Sequence, residues 1–507
     1  VATGSLRIGT AIVISALSLG VAGDFLLRAT PWGINVAIFI TLVAVVIAFL
    51  VRQLEGGPAI FPWLSVPVLF AEFFLWRDSP FLQLWGVFAI IAAFVLIALK
   101  RYQTRLFVAR IWDFVTGAVD TGINVLIGTP LLALSDVEWG HLTRSKSSKR
   151  VGSVATGAVL AIPLLLIFGP LLASADPIFA RLVDSAFRWN LPELTSHLLL
   201  ASFLAWISAG YLRSLFFARR TSPHWLEGLK APKFGLIEIG IALGSLAFLF
   251  SVFVAVQARY LFGGEEIVQA TIGLSYADYA RRGFFELVAV TTLVLPVLLA
   301  ADWALDHGTS KYRLSFTILA AVILVLVGLI MISALARMRL YVQAYGLTAD
   351  RFYATAFMFW IALLLAWFAA TVLRGLRTRF AFGAVTSGFA TLAILNVLNP
   401  DGLIARSNLE RPGSGRELDV QYLLTLSADA APTLLAGLPA LPEPERCQLE
   451  LGIREARWGT RSLDWRSWNL SRARARRALE RTLPNLDCNE SASRSRLPAP
   501  IRYGPTS

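Results

Sequence analysis

Charge, histidine and cysteine are all scarce in this chain, and each scarcity removes a class of function. Only 16% of the 507 residues are charged, whereas a soluble globular chain carries about 25%. Too little polar surface remains to clothe a soluble globule of this length. The four histidines, His141, His197, His224 and His307, are scattered without ligand spacing, which argues against a zinc centre. There is no phosphate-cradling P-loop and no Gly-x-Ser-x-Gly elbow, and the paired glycines of "YLFGGEE" lack the strand-and-helix context of a nucleotide site, so they read as a turn. The residues of electron transfer are missing as well, and no cofactor is implied.

What is present is apolar: 56% of the residues are hydrophobic. Runs long enough to cross a bilayer, about 17 to 25 residues, fall near 8–28, 33–51, 58–76, 81–99, 152–173, 196–217, 234–257, 283–302, 314–335, 354–374 and 380–397. This predicts an all-α polytopic membrane protein of about eleven transmembrane helices. Val21-Ala22-Gly23 faintly resembles a signal-peptidase site, but the apolar run continues past it, and the first segment reads as a retained span. Four regions follow: a four-helix region over 1–110, an interfacial or re-entrant segment over 111–150, a seven-helix membrane domain over 151–398, and a small, mostly helical region over 399–507. The segment 111–134 is assigned to the interface because Asp113, Asp120, Asn124 and Pro130 interrupt it.

The net charge of +13 does not form a nucleic-acid stripe, because the basic residues punctuate apolar runs. Membrane lipids are the expected partners. Every lysine, from Lys100 to Lys311, falls on one side of the eleven-span arrangement, together with Arg219-Arg220 and Arg374 to Arg379. The positive-inside rule makes that side cytoplasmic, with the N-terminus, and leaves residues 399–507 outside. The two cysteines, Cys447 and Cys488, both lie in that exported region, where an oxidising compartment allows a disulfide. Two helices, from Cys447 to Trp458 and through "WNLSRARARRALERTL", are expected to form an antiparallel hairpin there.

The outer links carry the unusual residues. In "RMRLYVQAYGLTADR", Arg337, Tyr341 and Tyr345 recur every fourth residue, so a helix continued through them gathers all three on one face, with Arg339 and Arg351 nearby. Gly346 is expected to end that helix in the left-handed conformation, and Thr348 to cap the next through its hydroxyl. Such a face suits an anion, although an interfacial belt of tyrosines and snorkelling arginines has the same composition. "GLSYADYARRGFF" resembles "GLTADRFYATAFM" and suggests a parallel repeat, with Ser275 and Asp278 approximating a capping box. It also supplies Arg281 and Arg282. Asp24, Glu72 and Glu286 are ionisable residues near the outer ends of apolar runs, where such groups usually face a cavity or a partner. Arg282, one turn before Glu286, offers that partner. No residue is singled out as catalytic.

Several of these stretches together resemble a bacterial inner-membrane family, domain of unknown function 4173, with the related group 4153. They are Asp176-Pro177-Ile178-Phe179, Tyr260 to Gly264, "YADYARRGFFEL", "RMRLYVQAYGLTADR", "NPDGLIARSNLER", "LSADAAP" and "DWRSWNLSRARA". The resemblance implies a multi-pass protein of the bacterial inner membrane and brings no activity with it. The leading expectation is a non-enzymatic protein that binds an anionic envelope component or lipid in an outward-facing polar pocket, with transport or flipping as one use. In that case Arg337, Arg339, Arg281 and Glu286 line one cavity. The alternatives are a membrane enzyme resembling the glycosyltransferases that use polyprenyl-linked sugars, with Asp24 as its outer acid, and a sensor or assembly partner. The last would use the basic helix carrying Arg472, Arg474, Arg476, Arg477 and Arg481.

Overall fold

The computed structural model of the protein describes residues 2–54, 60–102, 105–133, 172, 175–176, 191–217, 234–262, 284–305, 310–410, 418–455, 464–482 and 488. Among the described residues the fold is 88% helical and has no strand. Its membrane part comprises α1 (Ala2–Leu27), α2 (Ile34–Leu54), α3 (Phe61–Trp76), α4 (Pro80–Tyr102), α5 (Ile111–Leu131) and α6 (Leu191–Phe216). It continues with α7 (Leu236–Phe262), α8 (Phe284–Ala304), α9 (Ser310–Tyr345), α10 (Ala349–Thr371) and α11 (Arg377–Leu398). All of these except α3 are long and apolar enough to cross a membrane, ten helices in all among the described residues. The protein is therefore an all-α polytopic membrane protein, as its composition requires. The expected span at 152–173 lies outside the described residues.

The polar residues of 111–134 do not break α5. Asp113 sits in the first turn and accepts from the Arg110 amide at 2.8 Å, Thr121 bonds back to the Gly117 carbonyl, and Asn124 bonds to that of Asp120. Pro130 has no N–H for the carbonyl of Leu126, and the Trp206 indole of α6 donates to that carbonyl instead, at 2.9 Å. By length α5 can cross. By packing, it starts beside Leu99 at the end of α4, and its upper end meets Trp206, midway along α6.

The helices form two bundles. One core joins α7, α8, α9 and α10 through Leu243, Leu298, Ile323 and Phe368; a second joins α1, α2, α4 and α6 through Ile12, Ile47, Ile97 and Leu212. Helix α11 bridges them, with Phe389 5.4 Å from Phe70 of α3. Within the second bundle the helices approach through small residues: Gly20 of α1 faces Ala201 and Ala205 of α6, and Gly128 of α5 faces Gly210. This is the packing expected in lipid, where backbone proximity replaces the hydrophobic drive.

The two ends of the bundle differ in chemistry. The lower end carries Lys100, Arg101 and the ion pair Arg377–Asp302 at 2.8 Å. Gly375, at φ 82°, turns the chain there between α10 and α11, with the Arg313 guanidinium packed against it. The upper end carries the C-terminal helices α12 (Pro400–Leu409), α13 (Val420–Thr425), α14 (Ala431–Gly437), α15 (Glu443–Glu455) and α16 (Leu470–Thr482). Asn399 makes the corner between α11 and α12 in the left-handed region, φ 55°, and its side chain accepts from the Gly402 amide at 3.2 Å. Helices α15 and α16, expected to pair as a hairpin, contribute to one small core, in which Leu449, Ile453 and Leu479 meet Val420, Leu435 and Leu438. Cys447 and Cys488 are joined, with their Cα atoms 5.4 Å apart.

Candidate functional site

Helix α9 has 36 residues, about 54 Å at 1.5 Å per residue, against a hydrocarbon core of about 30 Å. The Arg313 guanidinium near its start packs against Gly375 beside Arg377, so the surplus length extends the helix at the upper end, through Arg337 to Tyr345. Tyr341 and Tyr345 do share a face, with ring centroids 5.2 Å apart, and Arg351 lies over Tyr341 at 4.0 Å. The Arg351 guanidinium also donates to the Gly346 carbonyl. Gly346 ends α9 at φ 83°, as its type suggests. Thr348 stands at the cap position of α10, but its hydroxyl makes no cap bond. Arg337 is half-buried and Arg339 exposed; Glu286, in the first turn of α8, and Glu72 on α3 are exposed. Arg281, Arg282 and both members of the Ser275–Asp278 pair lie outside the described residues, as does the first half of the suggested repeat.

Asp24 is differently placed. It is buried at the upper end of α1 and accepts from Arg28, one turn on, at 2.8 Å. On its other oxygen it meets Nδ1 of His197 on α6 at 2.5 Å. Arg28 also donates to Ser196 Oγ at 3.0 Å. Below this cluster an open groove of about 560 Å³ follows α6, with Arg28, Thr195 and Ser196 at its polar rim and Leu199, Leu200 and Phe203 along its apolar wall. An aspartate on Nδ1 fixes the imidazole's orientation and leaves Nε2 as the outward-facing nitrogen. His197 was one of four scattered histidines in the sequence. No spacing rule links residues 24 and 197, and only the packing of Gly20 on Ala201 and Ala205 brings them together.

A third cluster joins the C-terminal region to the bundle. The Asp429 carboxylate is buried between α14 and the short α3–α4 link, where it receives the Asp78 amide at 2.7 Å, the Ser79 amide at 3.1 Å, Ser471 Oγ at 2.6 Å and Arg77 Nη1 at 3.3 Å. Arg77 is itself buried and donates to the carbonyls at the end of α11, Asn396 at 2.6 Å and Val397 at 3.1 Å. Arg472 of α16 is buried too; it pairs with Asp78 and donates to the Trp32 carbonyl at 3.0 Å. Asn469 donates to the carbonyls of Phe74 and Arg77. Burial pushes the Asp78 carboxyl above its ordinary range against the opposing Arg472 charge, with Asp429 adding to the rise. Burial raises Asp401 as well, opposed by its bond from Ser427 and reinforced by Asp429. Of the basic residues expected to form a docking face on α16, Arg472 is therefore internal, while Arg474, Arg476, Arg477 and Arg481 are exposed.

This third cluster was not anticipated as a site. Its signal lay in the resemblance motifs, since "LSADAAP" supplies Asp429, "NPDGLIARSNLER" supplies Asn399 and Asp401, and "DWRSWNLSRARA" supplies Asn469, Ser471 and Arg472. Among the described residues no group of His, Cys, Asp and Glu could hold a metal ion. Fold and sites together define an integral, multi-pass α-helical membrane protein whose C-terminal helices are locked to one end of the bundle. A family model for a domain of unknown function, DUF4153, matches residues 64–437, and the chain belongs to that family. The match runs from α3 to the end of α14 and so includes Arg77, Asp78 and Asp429. No curated protein and no solved structure matches the chain.

Proposed function

We propose that this protein binds an anionic lipid or lipid-linked envelope component at its upper end, in the bacterial inner membrane. In this reading the N-terminus is cytoplasmic, the C-terminal helices lie outside, and the kinship extends to the 4173 group. The observation that carries it is the groove beside Arg28. Arg28, held by Asp24, and two hydroxyls stand at one end and an apolar wall follows α6 away from them, a polarity gradient that suits a lipid with a phosphate headgroup. Arg337, Arg339 and the Tyr341–Tyr345 face lie at the same end of the bundle and add positive potential there. Native mass spectrometry of the purified protein tests this. Retained phospholipid should fall in Arg28→Gln and persist in Arg374→Gln at the opposite end; equal retention in both removes the proposal.

One observation favours a second reading. Asp24 holds His197 as a carboxylate holds a catalytic imidazole, which suits an enzyme acting on a lipid-linked sugar. An Asp24→Asn protein that restores full function to cells lacking the wild-type chain would dismiss it.

A further inference from the structure

The side of α1 away from the bundle is a stripe. Ile14, Leu17, Val21 and Phe25 recur at helical spacing and are each between 53% and 67% exposed. In a membrane protein such a stripe faces lipid. It does not stop where α1 stops. The ring of Trp465 lies 6.5 Å from that of Phe25, and the Arg466 guanidinium stacks over Phe25 at 4.7 Å while donating to its carbonyl.

Trp465 begins a single 3₁₀ turn, Trp465–Ser467, just before α16. Trp465 is 57% exposed and Trp468 41%, and Trp32, in the adjoining α1–α2 link, is 37% exposed. The turn is held in place by backbone: the Trp468 carbonyl accepts from the Ile34 amide at 2.8 Å, and Gly33 leaves no room for a side chain against it. Asp464 caps the turn and pairs with Arg466, so the patch carries no net charge. The helix α16 that follows presents arginines to its surroundings, so three exposed indoles set this turn and the α1–α2 link apart. Indole, with an apolar body and one N–H, is most stable at the headgroup level of a bilayer.

We propose that the turn Trp465–Trp468, together with Trp32, is an interfacial anchor: it dips into the headgroup layer as a continuation of the lipid-facing stripe of α1 and holds the C-terminal helices flat on the membrane. The occupant is the lipid bilayer itself. Because the patch is neutral, insertion depends on apolar area, and it differs in this from the anionic-lipid reading of the groove, on which it does not rest.

The test uses the full chain in phosphatidylcholine vesicles without reductant, so that Cys447 and Cys488 stay paired. A nitroxide is placed at Trp465→Cys, at Trp32→Cys on the other segment, or at Arg481→Cys on the exposed side of α16. At 465 and 32 the label should collide more with oxygen than with a water-soluble nickel chelate, whether or not anionic lipid is added and at low or high salt. At 481 the order should reverse. If the labels at 465 and 32 favour the nickel chelate as the one at 481 does, the anchor does not exist. Dependence on anionic lipid would assign the patch to charge recognition and overturn the proposal equally.

Discussion

Without its carboxylate at position 429, Arg77 would be a buried charge with carbonyl oxygens around it but without its direct ion-pair partner. Breaking one side of a buried ion pair costs about 3–5 kcal/mol. Asp429→Ala should therefore lower the thermal unfolding midpoint in detergent and weaken amide protection in α14 and α16. Ser471→Ala, which removes one hydroxyl from the same carboxylate, should cost less, about 1.5–3 kcal/mol. Equal and small losses would mean that the cluster does not fasten the C-terminal helices. The same cluster fixes the sign of a pH effect. Asp78 and Asp401 have folded-state values raised above the unfolded ones, so their contribution is fully present below the unfolded carboxylate value and fades as pH rises through the folded values. Amide protection in α16, corrected for intrinsic exchange, should rise as pH falls from neutrality toward about 4. The resemblance motifs carried Asp401, Asp429, Ser471 and Arg472, but the pairing of these residues was not legible from the sequence. Arg77 and Asp429 are 352 positions apart, in segments with no shared period, and a buried carboxylate has no local signature. Tyr341 and Tyr345 were legible, because one helical turn separates them.

At the scale of elements, the hydrocarbon core sets the length of an apolar run, and run length is what sequence displays best. Most spans were therefore located within a few residues of the observed helices. The departures have physical causes. The residues of α3 are apolar enough to read as a span, yet Pro62 opens the helix late and leaves 16 residues. The segment 111–134 reads as interfacial or re-entrant because Asp113, Asp120, Asn124 and Pro130 interrupt it; Ile111–Leu131 is helical, and the donor that replaces the amide missing at Pro130 comes from Trp206, far along the chain. Close helix approach was equally hidden, since a glycine's neighbour cannot be read from its own segment. A Cβ on Gly210 would collide with the carbonyls of Asn124 and Val125, which are backbone and cannot turn aside. Gly210→Leu should therefore displace α5 from α6. Double electron–electron resonance between labels on the two helices should show a longer, broader distance, whereas Gly244→Leu, where nothing stands within 4 Å, should leave the fold unchanged. An unchanged α5–α6 distance in Gly210→Leu would refute this packing.

For the whole molecule, the proposed orientation rests on the basic residues of the short links at one end. Lys100, Arg101, Arg374 and Arg377 gather at one end, and at the other the C-terminal helices fold over the links α1–α2, α3–α4 and α9–α10. In the proposed orientation, argued from positive-inside bias, the C-terminal helices lie in the outer compartment, which would keep the Cys447–Cys488 bond oxidised. Closing a sequence separation of 41 should stabilise that region by about 4 kcal/mol in the chain-entropy model. Both statements meet in one labelling experiment on intact cells. A membrane-impermeant maleimide should leave the wild-type chain unlabelled, then react at Cys447 and Cys488 once an impermeant reductant is added. A probe at Leu376→Cys, in the turn at the opposite end, should react only after permeabilisation. The reverse pattern would turn the molecule over: the groove beside Arg28 and the arginine–tyrosine face of α9 would then open on the cytoplasm, and an envelope ligand could reach neither.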